Sequence, residues 1–130
     1  MTHPALTKIL CVEDEPDIQA IAKLALETVG GFTVETCSSG REALLKAPEF
    51  GPDLILLDVM MPGMDGPETL QALRALPGFE TTPVIFMTAK AMASEIQKYK
   101  ELGALDVIPK PFDPMTLSDQ IKAIWNAPRE

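Results

Sequence analysis

The chain has 130 residues, the size of one compact domain, and its 46% apolar and 23% charged residues exclude an intrinsically disordered segment. Nineteen acidic against eleven basic side chains give a formal charge of −8, so direct nucleic-acid binding and attachment to anionic lipid are not expected. No apolar run approaches the roughly 18 residues of a membrane span, and Met1 to Thr7 lacks a signal peptide's basic segment and apolar core, so a cytoplasmic location is expected.

Lys8 to Val12 (KILCV) is a short, continuous apolar run suited to a strand buried on both faces. It ends in Glu13, Asp14, Glu15 and Pro16, where the acids and the proline favour the start of a helix. Ile18, Ile21, Ala22, Ala25 and Val29 recur at helical spacing until Gly30-Gly31 stops the helix. Phe32 to Cys37 reads as a second strand, and Ser38-Ser39-Gly40 leads into a helix over Arg41 to Ala47, ended near Pro48. Asp53 to Leu57 is the third and most hydrophobic strand. Beyond a Pro/Gly-containing loop, Asp65 and Glu68 match a capping box for a helix reaching about Leu76. Pro83 to Met87 is the fourth strand, followed by a helix across Ala91 to Leu102. Leu105 to Ile108 is a brief fifth strand, and Asp113-Pro114 starts a final helix with Leu117, Ile121 and Ile124 on one face. Cys11 and Cys37 fall within or at the end of strand-like runs and are expected as buried free thiols.

Strand–helix alternation with buried-type strands implies an α/β fold: a doubly wound, five-stranded parallel sheet with helices on both faces. Right-handed crossovers restrict the topology, and the flavodoxin-like order 2-1-3-4-5 puts the two most apolar strands, one and three, at the centre. Residues 1–130 read as a single domain with a core from about 8 to 125.

In such sheets ligands bind beyond the carboxyl ends of the strands. The residues that follow strands one, three, four and five are Glu13 with Asp14, Asp58, Thr88 and Lys110. Singly, each has a plain structural role, as helix cap, turn residue, strand-end hydroxyl or solvated charge. Together they do not. Three carboxylates brought within ~5 Å repel by about 3 kcal/mol per pair at an effective dielectric near 20, and one lysine leaves two negative charges in excess. A divalent cation relieves that excess, and all-oxygen donors without nearby His or Cys favour Mg²⁺ over zinc. Asp58 could then attack phosphorus as an already ionised carboxylate, needing no general base, while the metal, Lys110 and the Thr88 hydroxyl stabilise the phosphoryl oxygens.

Four segments carry a family resemblance: ILCVEDE at 9–15, DLILLDVMMPGMDG at 53–66, VIFMTA at 84–89 and KPF at 110–112. In this order and spacing they resemble the receiver domain of bacterial two-component response regulators, the chemotaxis-regulator-like family, from about Lys8 to Trp125. The resemblance implies that Asp58 is the phosphoacceptor, charged by a histidine kinase or a histidine phosphotransfer protein. It implies a Mg²⁺ site formed by Glu13, Asp14, Asp58 and the backbone carbonyl of Met60. Thr88 corresponds to a switch hydroxyl, Lys110 to a phosphate-pairing lysine, and Lys110-Pro111 to a bond that is usually cis. Phosphorylation would change the surface of the fourth helix, fifth strand and fifth helix for an output protein or effector domain, with phosphorylation-dependent dimerisation left open. The domain is then a regulatory phosphoacceptor that assists its own phosphorylation and dephosphorylation, not an enzyme acting on other substrates.

The chain departs from the family at Val107, where an aromatic residue is common, so a coupled threonine–aromatic rotation cannot operate in its usual form. Met60 and Lys90 occupy variable positions beside the site that bear on phosphoryl lifetime. Tyr99 matches no family position and receives no role. Two alternatives have different consequences. A phosphorylation-independent interaction module would be expected to have lost acceptor, acid or lysine, all of which are retained. A Mg²⁺-dependent aspartyl-phosphate phosphohydrolase would place its nucleophile after the first strand, where this chain has Glu13-Asp14-Glu15.

Overall fold

In the computed structural model, which describes residues 4–129, the short apolar runs form strands and the amphipathic stretches form the helices between them. The expectations that touch Met1 to His3 and Glu130 lie outside the described residues. In chain order the elements are β1 (Lys8–Val12), α1 (Pro16–Leu24), β2 (Thr33–Cys37), α2 (Gly40–Phe50) and β3 (Leu54–Asp58). They continue with α3 (Gly66–Arg74), β4 (Val84–Thr88), α4 (Ala93–Glu101), β5 (Asp106–Pro109) and α5 (Leu117–Asn126). The strands pair in parallel in the order β2-β1-β3-β4-β5.

Side-chain alternation along the strands divides the core into two layers. Leu10, Val12, Ile55, Leu57, Val84 and Phe86 pack beneath α2, α3 and α4. Ile9, Cys11, Leu54, Leu56, Ile85 and Met87 pack beneath α1 and α5. Each fully buried Leu or Ile contributes roughly 2 kcal/mol of transfer free energy, which explains why β3, buried along its whole length, is central. Cys11 and Cys37 are free and buried, as expected, and lie in opposite layers, so the sheet itself separates them.

Four local expectations shift. The third, fourth and fifth strands each run one residue later than the hydrophobic pattern implies, so Asp58 and Thr88 close their strands rather than follow them. Pro48 does not end α2. The helix continues to Phe50 and stops at Gly51, whose left-handed backbone (φ 67°) lets its N–H reach the Ala47 carbonyl. Beyond α1, Ala25–Val29 winds as a π-helical turn closed by Gly30 N–H on the Ala25 carbonyl. Leu26 lies in the core beneath this wider turn, while Ile21, which precedes the turn on α1, and Val29, both expected on the buried stripe, are exposed. Finally, Asp113-Pro114 makes a turn rather than helix. Asp113 Oδ1 accepts from Met115 N–H, and α5 begins only at Leu117.

Candidate functional site

The carboxyl ends of β1, β3, β4 and β5 gather the expected residues at one rim. Ligand-capable oxygens of Glu13, Asp14 and Asp58 all lie within 4.8 Å of one another. Glu13 and Asp58 are buried and Asp14 is half-buried. Lys110 joins them, its Nζ 2.9 Å from Glu13 Oε1 and 3.4 Å from Asp58 Oδ1. Its backbone is set by the sheet, since Lys110 N–H donates to the Thr88 carbonyl (2.9 Å), and the Lys110–Pro111 peptide is cis.

Backbone donors supply the remaining order. Glu15 N–H donates to Glu13 Oε2 (3.1 Å), and Met60 N–H reaches Asp58 Oδ1 at 3.4 Å. Met60, two residues after Asp58, keeps its side chain in solvent. Thr88 is buried, on the strand beside Asp58, and its Oγ1 accepts from Lys90 N–H (3.0 Å). Lys90 itself is exposed.

Burial first, and then the Glu13 charge, push the Asp58 carboxyl up to about 7 despite the nearby lysine. Burial alone would lower the Lys110 ammonium, but its hydrogen bond to Glu13 and the Asp58 charge outweigh that and hold it above its ordinary value. Both directions describe a cluster short of positive charge. Its donors are hard oxygens, and among the described residues no His or Cys joins them, a set that fits Mg²⁺.

Two contributors were not anticipated. Gln19 on α1 donates its side-chain N–H groups to the carbonyls of Glu13 (3.0 Å) and Cys37 (3.1 Å). Gly66, the first residue of α3, packs so tightly under the acceptor loop that a Cβ there would lie 2.7 Å from the Asp58 carbonyl oxygen and 2.8 Å from Val59 Cα. A glycine behind the Asp65 cap is a legible signal for such close approach. A polar residue on the first helix carries none. Farther out, Val107 pairs with Phe86, and Tyr99 of α4 packs edge-on against the Phe86 ring (centroids 5.3 Å apart, planes at 69°).

The family model of the response regulator receiver domain matches residues 9–122. The chain is 39% identical over 119 residues to the phosphate regulon transcriptional regulatory protein PhoB of Rhizobium meliloti, covering 92% of this chain and 52% of that protein. It is 42% identical over 117 residues to the alkaline phosphatase synthesis transcriptional regulatory protein PhoP of Bacillus subtilis, covering 90% and 48%. The chain thus spans about half the length of these curated relatives. Among solved structures, the chemotaxis protein CheY4 of Vibrio cholerae matches with a TM-score of 0.84 and 35% identity, over 92% of this chain and 99% of that one.

Proposed function

Because the chain belongs to the response regulator receiver domain family, we propose that it works as one receiver domain, core about 8–125, whose acceptor is Asp58. The observation that carries this reading is the convergence of a buried Asp58 with Glu13, Asp14 and Lys110 at the carboxyl edge of the sheet. The donor is a phosphohistidine on a kinase or phosphotransfer protein. An Asp58 carboxylate oxygen forms the new bond to phosphorus, and the bond to the donor nitrogen breaks. That nitrogen leaves with the electron pair of the broken bond, and the ring departs as neutral imidazole with its proton on the other ring nitrogen.

Glu13, Asp14, Asp58 and the Met60 carbonyl would hold Mg²⁺, which supplies charge neutralisation for the phosphoryl oxygens when bound. Lys110 offers its ammonium to a second phosphoryl oxygen, held in place meanwhile by Glu13. The Thr88 hydroxyl, now accepting from Lys90 N–H, has its own proton free to donate to a third oxygen. Turning toward the phosphoryl group would strain or break the Lys90 bond and so pull on the segment that leads into α4. Val107 is aliphatic and pairs with Phe86 of β4, on whose ring Tyr99 of α4 packs edge-on. The α4–β5–α5 face is then the surface offered to an output partner.

No helix among the described residues is long and apolar enough to cross a membrane, which is compatible with cytoplasmic action. The test is a transfer assay. Incubation with a phosphohistidine donor and Mg²⁺ should add one phosphoryl mass that hydroxylamine removes, the behaviour of an acyl phosphate. A hydroxylamine-resistant adduct would contradict a carboxylate acceptor.

A further inference from the structure

Gln19 connects three segments through one amide. Its Nε2 donates to the Glu13 carbonyl at 3.0 Å and the Cys37 carbonyl at 3.1 Å, with Ser38 Oγ at 3.4 Å. Those two carbonyls follow β1 and end β2, and the backbone already joins them, since Glu13 N–H donates to the same Cys37 oxygen (3.0 Å). The Gln19 backbone is fixed in turn by its N–H bond to the Glu15 carbonyl (2.9 Å). One side chain therefore clamps the strand ends on which the acidic cluster is built.

The Glu13 carbonyl belongs to the planar peptide that leads into Asp14, so fixing that oxygen fixes the plane from which the Asp14 side chain departs. This matters for Asp14 in particular. The Glu13 carboxylate is held by Lys110 and Glu15 N–H, and the Asp58 carboxylate by Lys110 and Met60 N–H. Asp14 is the half-buried member, and among the described residues no hydrogen bond to its carboxylate is formed. Its direction is inherited from the backbone, and Gln19 is the side chain that sets that backbone.

We propose that Gln19 is a positioning residue for the divalent-cation site, acting through the Glu13 carbonyl on Asp14. The inference rests on the reading that Glu13, Asp14 and Asp58 hold a cation. Losing a supporting hydrogen bond of this kind typically weakens metal affinity by roughly 10- to 100-fold.

The test uses Mn²⁺ as probe, its free concentration read by electron paramagnetic resonance, on the whole chain without any phosphoryl donor. Gln19→Met keeps side-chain length and helix propensity while removing both donors, and Gln19→Leu provides a second donor-free side chain. Both should weaken Mn²⁺ binding by about tenfold. With acetyl phosphate, the Mg²⁺ concentration for half-maximal labelling should rise by the same factor while the plateau rate stays at the parent value. In an Asp14→Ala background, Gln19→Met should weaken binding no further, because the residue it positions is gone. An unchanged Mn²⁺ Kd in both single variants would overturn the proposal, as would an undiminished loss in the Asp14→Ala background. A parent chain that binds no Mn²⁺ would instead undo the cation-site reading on which the proposal stands.

Discussion

Lys110 is bound more closely to Glu13 than to Asp58: its Nζ stands 2.9 Å from Glu13 Oε1 and 3.4 Å from Asp58 Oδ1. Glu13 is completely buried, so the lysine's first task is to pair with that carboxylate inside the protein. Its second partner is the proposed acceptor. The lysine is thus held beside Asp58 before any phosphoryl group arrives, and its ordering there costs little at the moment of reaction.

Removing that ammonium should destabilise the protein. Lys110→Met leaves Glu13 buried without its cation, at a cost of about 3 kcal/mol in urea unfolding with EDTA present. Saturating Mg²⁺ should narrow the gap between variant and parent, since it neutralises the same carboxylates. Equal gaps with EDTA and with Mg²⁺ would mean that lysine and metal do not serve the same charges.

Asp58 makes stability pH-dependent in the metal-free protein, in a direction fixed by its raised pKa. The folded carboxyl titrates at about 7 and the unfolded one near 3.8, so between those values the folded state binds more protons. Stability therefore falls as pH rises through that window, and the cost is complete above it. Asp58→Asn abolishes this cost. With EDTA present, the variant's advantage over the parent should grow between about pH 4.5 and about pH 8, reaching ~2 kcal/mol after discounting for water at the rim of the cluster. A constant difference across that range would show that Asp58 does not titrate there.

The closeness of Gly66 to the acceptor loop predicts that Gly66→Ala damages site and fold together. The added Cβ would meet backbone atoms of Asp58 and Val59, which cannot rotate away as a flexible side chain could. A loss of about 2 kcal/mol is expected, together with slower acetyl-phosphate labelling at saturating Mg²⁺. Parent-like labelling and stability would mean that the loop yields without consequence.

Both thiols should be inert in the native protein. Burial, followed by the Glu13 charge, pushes Cys11 up to about 12; burial, followed by the Glu42 charge, does the same for Cys37. Iodoacetamide at about pH 8 should label neither until denaturant is added, and then both. Rapid native labelling of either would require an opening that the closed sheet does not provide.

The strand order and the rim residues were legible because both follow from short-range chemistry. Strand-like runs alternating with helical stretches imply a covered parallel sheet, and the first four runs stop at Glu13, Ser38, Asp58 and Thr88. The capping box of Asp65 and Glu68 was legible for the same reason, and both of its hydrogen bonds form. What escaped depends on partners distant in the chain or on backbone geometry. The π-helical turn after α1 shares the Ala25 carbonyl between Gly30 N–H and Ser118 Oγ, a bond across 93 positions. Without it, the stripe from Ile18 to Val29 reads as an ordinary helix face. Pro48 reads as a stop because its missing donor is visible in sequence, whereas the left-handed backbone of Gly51, where the helix ends, is a property of geometry. Gln19 escaped because its acceptors are backbone carbonyls, which every residue carries and no pattern reveals.

The central claim is that Asp58 accepts a phosphoryl group with the help of a cation held by its acidic neighbours. It is tested most directly by intact mass after incubation with acetyl phosphate, with Mg²⁺ or with EDTA, on the parent and on Asp58→Asn, with a phosphohistidine protein as a second donor. One phosphoryl adduct on the parent, requiring Mg²⁺ and absent from Asp58→Asn, is the predicted result. Equal labelling of the variant, or no adduct on the parent from either donor, would contradict it.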